Sequence, residues 1–179
     1  VESGEYETNN GFKICVVKTT SSKDGLEEAA KFKELTSSHV PTFLGKKEID
    51  GATEIYMEKI DGDLNDLITE GYFVNNSERT EDCIQQIIEA LQFFKQQNFA
   101  HCDLKPGNIG YITVNGRKMF KLLDLGSSAK MNDDGICKPG VTTRSFLSPE
   151  RIDSFEPIFD GHKLDIYSLG GIIYNILTG

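Results

Sequence analysis

An acid, a cation and an amide occur together in one short polar stretch, His-Cys-Asp-Leu-Lys-Pro-Gly-Asn, at residues 101–108. The Pro-Gly pair accounts for a turn, but Asp103, Lys105 and Asn108 exceed what a turn requires. A second acid, Asp124, follows in an Asp-Leu-Gly triplet. Because hard cations prefer oxygen ligands, two carboxylates and an amide in one cleft would suit Mg²⁺ and phosphate groups. The pattern therefore indicates phosphate chemistry, and a plain surface turn is the alternative.

The composition limits the class of protein. The chain has 179 residues, which fits one domain or part of one. Its net charge of −9 argues against a nucleic-acid partner, because nucleic-acid surfaces on proteins are basic. No apolar stretch reaches the ~18 residues that cross a bilayer, so we expect no membrane partner. The acidic start does not resemble a signal peptide. The four cysteines form no CxxC pair, so we expect reduced thiols in an intracellular protein, cytoplasmic or nuclear.

The first half of the chain predicts the elements that would position part of this site. A β-branched segment at 12–18 predicts a strand that ends on Lys18, after a hairpin turn at 9–11. Asp24, with Glu27 three residues later, predicts the N-cap of the following helix.

The second half predicts the scaffold of the polar loop. Thr80 is the expected cap of a long helix that delivers the chain to this loop. An Asn-Gly turn then joins two expected strands, at 109–114 and 118–123. The last helix, expected at 164–178, is apolar nearly all round and should lie in the middle of a lobe.

Together these segments resemble the eukaryotic protein kinase family. Five patterns occur in the family's order: C-V-V-K at 15–18, H-C-D-L-K-P-G-N at 101–108, D-L-G at 124–126, S-P-E at 148–150 and D-I-Y-S-L-G at 165–170. Each pattern is weak to moderate alone, but all five in register make a specific resemblance over most of the chain. The catalytic loop is somewhat similar to that of the dual-specificity tyrosine-regulated kinases, and the substrate loop is more similar to that of MAP-kinase kinases.

The resemblance implies an α+β, two-lobed fold in one domain over residues 1–179. We expect a small β-sheet lobe at 1–57, a hinge at 58–60 and a mainly helical lobe at 61–179. No G-x-G-x-x-G loop precedes the strand lysine, and the family continues with further helices beyond the last one here. We therefore expect a piece of the domain, truncated at both ends.

The resemblance also implies roles in phosphate transfer. Asp103 would orient the substrate hydroxyl and accept its proton, and Lys105 would neutralise charge near the γ-phosphate of ATP. Asn108 and Asp124 would hold Mg²⁺. Lys18 would contact the α/β-phosphates.

A helix glutamate would fix the strand lysine in the family. The resemblance makes Glu28 the candidate, but its spacing from Lys18 is shorter than expected, so Glu27 and Glu34 remain alternatives. An aspartate near the start of the last helix, Asp165, would hold the backbone of the catalytic loop.

The adenosine part of ATP would lie against a further group of residues. Val16 falls where the family has a small alanine over the adenine, and Met57 would close the back of the pocket. Backbone groups from Glu58 to Ile60 would bind the adenine edge, and Asp63 could reach the ribose hydroxyls.

The implied activity is ATP-dependent phosphorylation of protein serine or threonine hydroxyls, since Lys105 two residues after the acid favours serine and threonine over tyrosine in this family. The alternative is a pseudokinase, a nucleotide-binding or scaffold module with the same fold. Cys102 stands where many kinases have an arginine that pairs with a phosphate on the activation segment. We therefore expect that phosphorylation of the activation segment does not control activity, and that packing of this segment or a regulatory partner does. If phosphorylation does control activity, Lys130 or Arg144 would take the place of the arginine.

Overall fold

The computed structural model describes residues 2–8, 11–140, 144–153 and 158–179. The strands are β1 (Glu2–Thr8), β2 (Gly11–Ser21), β3 (Phe43–Ile49), β4 (Ala52–Glu58), β5 (Gly62–Asp63), β6 (Phe99–Ala100), β7 (Ile109–Val114), β8 (Arg117–Leu122), β9 (Ala129–Lys130), β10 (Ile136–Cys137) and β11 (Phe159–Asp160). The α-helices are α1 (Ser22–Glu34), α2 (Leu64–Thr69), α3 (Ser77–Gln96), α4 (Pro149–Asp153) and α5 (Gly161–Thr178). Short 3-10 helices lie at Pro106–Asn108, Leu125–Ser127 and Arg144–Phe146.

An antiparallel sheet forms the first part of the molecule, with strand order β1-β2-β4-β3. The register places Val16 opposite Met57 and Lys18 opposite Ile55. Because side chains alternate between the two faces of a strand, these four residues share one face. Helix α1 packs on the sheet through buried Phe32. The hairpin turn expected at 9–11 lies mostly outside the described residues.

The first helix begins earlier than its sequence predicts. Its N-cap is Ser21, which accepts a hydrogen bond from the Asp24 backbone N–H at 3.3 Å. The Ser21 hydroxyl also donates to Asp24 Oδ2 at 2.6 Å. The prediction of Asp24 as the cap was therefore wrong, because β2 continues directly into the helix and its last residue takes the capping position.

The cap of α3 was also predicted wrongly. Asn76 accepts from the backbone N–H of Arg79 at 3.0 Å, whereas the Thr80 hydroxyl lies inside the first turn and donates to the Asn76 carbonyl. Asparagine is among the strongest N-cap residues, so it takes the position ahead of a threonine four residues later. Ile87 and Phe94 are buried on the face of α3 that packs against the core.

The last helix has two unlike faces. Asp160 caps α5 and accepts from the backbone N–H groups of His162 and Lys163, so the helix begins three residues before the expected start. One face is buried and comprises Leu164, Leu169, Ile172 and Ile176. The other face is exposed within the described residues and comprises Ile166, Tyr167, Tyr174 and Leu177. The expected position in the middle of a lobe is therefore seen for the buried face, whereas these four residues are exposed in the described part of the chain.

A single cluster of buried apolar side chains joins the sheet and α1 to the mainly helical part of the molecule. The β7–β8 hairpin pairs with β5 and packs against α3, which brings the 3-10 turn at Pro106–Asn108 under the sheet. This α+β arrangement of a small sheet followed by a mainly helical part is that of a two-lobed kinase fold. No helix in the described part of the chain is both long enough and apolar enough to cross a membrane.

Candidate active site

A cavity of about 270 Å³ lies between the sheet and the 3-10 turn. Its lining includes most of the residues expected to bind a nucleotide: Val16, Lys18, Glu28, Met57, Glu58, Ile60, Asn108 and Asp124. A wider surface groove of about 1020 Å³ lies beside α3, but it is open and its charged lining is of mixed sign. The smaller cavity is the candidate site because the phosphate-directed side chains meet there.

Lys18 joins two carboxylates at the inner end of this cavity. Its Nζ atom lies 2.8 Å from Glu28 Oε1 and 2.8 Å from Asp124 Oδ1. Glu27 is exposed on the helix surface, and Glu34 pairs with Lys130 instead. The structure therefore selects Glu28 among the three glutamates that the sequence left open.

The charges in this group support one another. Burial acts to lower the pKa of Lys18, but the Glu28 and Asp124 carboxylates outweigh it and raise that pKa above its usual value. Burial likewise opposes the charge of Asp124, but the hydrogen bond from Lys18 outweighs it and the pKa of Asp124 is lowered. Burial raises the pKa of Glu28 despite the nearby lysine. Glu28 therefore depends on Lys18 to remain ionised in its buried position.

The Asp-Leu-Gly turn is held by a contact that the sequence reasoning missed. Asp124 has a left-handed backbone, with φ of 55°, and its side chain accepts from the Gly126 N–H at 3.3 Å. Lys31 donates to the carbonyls of Leu125 at 3.1 Å and Gly126 at 2.9 Å. Its spacing of three residues from Glu28 places both on one helix face, which could have indicated this contact. Helix α1 thus fixes both Lys18 and the turn that carries Asp124.

The catalytic loop forms a connected polar group. Asn108 donates from Nδ2 to the Asp103 carbonyl at 2.8 Å and to Asp103 Oδ2 at 2.9 Å. Lys105 Nζ lies 3.2 Å from the same Oδ2 atom. The three polar residues of the loop are therefore brought together, although only Asn108 lines the cavity. Asp103 and Lys105 lie beside the cavity.

Asp165 anchors the backbone of this loop from α5. Its carboxylate accepts the backbone N–H groups of His101 and Cys102, each at 2.8 Å. The His101 ring accepts the Asp103 N–H at Nδ1, so in its neutral form it carries its proton on Nε2 and donates to the Leu123 carbonyl at 2.8 Å. The contact expected for Asp165 is therefore present, and the loop is fixed from two sides.

Arg151 is a second residue that the sequence reasoning missed. Its guanidinium donates to the carbonyls of Cys102 and Gly140, each at 2.7 Å. Of the two cations expected as substitutes for the missing arginine, Lys130 pairs with Glu34, and the side chain of Arg144 lies outside the described residues. The only sequence signal was an arginine directly after S-P-E.

The side of the cavity expected to take the adenine is rigidly supported. Glu58 pairs with Lys121 at 3.1 Å and accepts the Thr42 N–H at 3.0 Å, so its side chain is engaged away from a ligand. Met57 is buried and lies beside Val16 on the sheet. The Glu58 backbone N–H donates to the Thr42 carbonyl at 2.9 Å, and binding of the adenine edge by backbone groups from Glu58 to Ile60 stays a prediction.

Asp63 lies outside the cavity lining, at the start of α2. It forms a capping box in which its side chain accepts the Asp66 N–H at 3.2 Å. This use of the carboxylate accounts for Asp63 structurally, and its contact with a ribose stays a prediction.

The donor set fits Mg²⁺ that is shared with phosphates. In the part of the chain that the structure describes, no three His, Cys, Asp or Glu side chains cluster as a metal cage. Asp124 offers a carboxylate at the cavity, and Asn108 uses its amide nitrogen on Asp103, which leaves the amide oxygen for a cation. Mg²⁺ is commonly bound by one or two such groups, with phosphates and water completing its coordination.

The fold and the arrangement of this site are those of a kinase-type domain. The protein kinase domain family matches residues 7–179, and the chain belongs to that family. The serine/threonine-protein kinase dkf-2 of Caenorhabditis briggsae is 34% identical over 128 residues, which cover 70% of this chain and 10% of that protein. Serine/threonine-protein kinase STK11 of Gallus gallus is 35% identical over 97 residues, or 52% of this chain and 21% of that protein.

A longer match is with myosin light chain kinase 2, skeletal/cardiac muscle, of Rattus norvegicus. It is 28% identical over 179 residues, which cover 97% of this chain and 29% of that protein. The chain thus spans less than a third of the length of each of these relatives.

Proposed function

We propose that this protein transfers the γ-phosphate of ATP to serine and threonine hydroxyls of other proteins. The proposal rests on one observation. Lys18, Asp124 and Asn108 line the same cavity, and Asp103 is hydrogen-bonded to Asn108. Phosphoryl transfer needs positioning and charge stabilisation more than covalent chemistry. The pair Lys18–Asp124 and the pair Asn108–Asp103, which meet at one cavity, would supply these requirements.

Each residue has a distinct task in this proposal. Lys18, which Glu28 holds in place, would bind the α/β-phosphates. Mg²⁺, when held by Asp124 and Asn108, would neutralise phosphate charge. Asp103 would orient the substrate hydroxyl and take its proton. Lys105, whose Nζ lies 3.2 Å from Asp103 Oδ2, would neutralise charge near the γ-phosphate.

The acceptor class follows from the same loop. Lys105 contacts the catalytic acid and stands where serine/threonine kinases carry a lysine. The net charge of −9 favours a protein substrate over nucleic acid. We place the protein inside the cell, in the cytoplasm or the nucleus. The four free cysteines are consistent with that location. We also expect a regulatory partner.

The test uses the full-length protein that carries this chain. It would be incubated with Mg²⁺ and γ-³²P-ATP and offered peptide mixtures that contain serine and threonine, or tyrosine, as the only hydroxyl. We expect label on serine and threonine peptides, and none without Mg²⁺. Tight Mg·ATP binding without transfer to any acceptor would instead support a pseudokinase. Failure to bind Mg·ATP would contradict both functions.

A further inference from the structure

Two cysteine side chains lie in one small buried cluster beside the catalytic loop. Cys102 and Cys137 are 35 positions apart in the sequence. Cys102 is 4% exposed and Cys137 5% exposed, and they pack with Ala100, Ala129 and Met131 in a small cluster apart from the main core. This pair takes no part in the phosphate chemistry described above.

Backbone contacts fix the positions of both cysteines. Cys102 has a left-handed backbone, with φ of 65°, and its N–H and C=O groups are held by Asp165 and Arg151. Cys137 lies on β10, opposite Phe159 of β11. A Cβ at Gly161 would lie 2.9 Å from Cys137 Sγ, so a glycine is required for this close packing. The two cysteines are therefore held in position by contacts with three elements, α4, β11 and α5.

The electrostatic surroundings shift the pKa values of the two thiols in opposite directions. The neighbouring Cys102 side chain lowers the pKa of Cys137, and Arg151 acts in the same direction. The Cys137 side chain in turn raises the pKa of Cys102. Burial raises the pKa values of Cys15 and Cys83. Cys137 lies on the two-pair ladder of β10 and β11, so it is the thiol that local opening exposes first.

We propose that Cys102 and Cys137 form a reversible disulfide when the protein meets hydrogen peroxide. The Cys137 thiolate attacks one peroxide oxygen, the O–O bond breaks, and a sulfenic acid and hydroxide form. The Cys102 sulfur then attacks the sulfenic sulfur, and its proton leaves with the hydroxyl group as water. In sum, two thiols and one peroxide give one disulfide and two waters, so that sulfur is oxidised and peroxide oxygen is reduced.

The two side chains already lie in one buried cluster, so bond formation requires the sulfurs to approach to the disulfide distance of about 2.05 Å. Strand β10 pairs with β11 over only two residue pairs, so local opening of this short ladder gives peroxide access to Cys137. The bond would tie the residue next to Asp103 to the segment that follows the Asp-Leu-Gly turn.

The test is peptide mapping of the full-length protein after peroxide treatment. Free thiols would be alkylated while the protein is unfolded, because all four cysteines are buried. Trypsin would then release the four cysteines on the separate peptides 14–18, 80–95, 96–117 and 131–144. We expect a cross-link between 96–117 and 131–144 that dithiothreitol cleaves. Cys137→Ser should abolish it, and the matched control Cys83→Ser, at another buried cysteine, should retain it.

Two results would overturn the proposal. One is recovery of both wild-type peptides with blocked, unoxidised thiols at peroxide doses that oxidise other cysteines of the protein. The other is oxidation of Cys137 to sulfinic acid with no cross-link to Cys102. Both are read from the wild-type protein, so the proposal stays testable even if a cysteine variant fails to fold.

Discussion

Lys18 and Glu28 form an ion pair at 2.8 Å that joins strand β2 to helix α1, although only ten residues separate them. The pair is close in sequence because β2 continues without a linker into α1 at Ser21. Glu28 is 3% exposed and has Lys18 as its neighbouring cation in the cavity. The same cation holds Asp124, so one lysine links the sheet, the helix and the Asp-Leu-Gly turn.

Replacement of this lysine should destabilise the protein in a pH-dependent way. In Lys18→Met, buried Glu28 loses its partner, so its folded-state pKa rises further above the unfolded value. The folded state then binds a proton more readily than the unfolded state, and the stability lost at neutral pH returns as the pH falls toward that raised pKa. We expect a loss of about 2 kcal/mol in the free energy of unfolding near pH 7.5, and a smaller loss near pH 5.

Urea unfolding at both pH values measures this effect. Lys33→Met is the matched control, because Lys33 is exposed on the same helix. An equal loss at both pH values for Lys18→Met would contradict a charge-dependent role of the pair.

The residues proposed to carry the phosphate chemistry could be located because their types and order match the patterns of the kinase family. Asp103, Asn108 and Asp124 were found in this way, and the structure brings all three to one place. Arg151 could not be predicted, because its partner Cys102 is 49 residues away and is reached only through the tertiary fold. Lys31 binds carbonyl groups 94 and 95 residues away, so its spacing from Glu28 indicated the helix face but not these partners.

The helix boundaries illustrate a second limit of sequence reasoning. Ser21, Ser22 and Asp24 are all suitable N-cap types within four positions, so local preference alone does not choose between them. The choice depends on where the preceding strand ends, which its pairing with β4 determines. The overall fold was predictable from the order of motifs, whereas the caps depend on contacts between elements.

Asp165→Asn should damage the catalytic loop without removing a group from the cavity. Asparagine has one acceptor oxygen, so its amide nitrogen would face one of the two backbone N–H groups at His101 and Cys102. We expect a loss of about 2 kcal/mol in stability by chemical unfolding, and at least about tenfold slower phosphoryl transfer.

The matched control for this substitution is Asp160→Asn at the cap of the same helix. Asparagine caps helices about as well as aspartate, so we expect little change in stability or transfer. Equal effects of the two substitutions would contradict the anchoring role of Asp165.

Arg151→Met should loosen the contact between the catalytic loop and the following segment. The two carbonyl groups of Cys102 and Gly140 would lose their common donor, while Arg151→Lys would keep the charge but only part of the bidentate geometry. We expect transfer to fall about tenfold in Arg151→Met and less in Arg151→Lys, with faster hydrogen exchange around Gly140. Unchanged exchange in Arg151→Met would refute this contact as the link between the two segments.

Phosphatase treatment of the active full-length protein should leave its rate nearly unchanged. Cys102 cannot pair with a phosphate as an arginine does, and Arg151 joins the loop to the segment with no phosphate in the contact. The rate would be measured before and after treatment. A fall of about tenfold or more that rephosphorylation of Ser127, Ser128 or Thr142 restores would overturn this expectation.

The most direct test of the proposed function compares Asp103→Asn with the wild-type full-length protein in two assays on the same preparation. Calorimetry would measure Mg·ATP binding, and label transfer from γ-³²P-ATP to a serine/threonine peptide would measure the reaction. Asparagine keeps the shape of Asp103 but cannot accept the substrate proton, and Asp133→Asn on an exposed turn is the matched control. We predict nearly unchanged binding and transfer reduced by about 10²-fold or more in Asp103→Asn alone. Transfer by Asp103→Asn at the wild-type rate, or no transfer by wild-type protein that binds Mg·ATP, would contradict the proposed function.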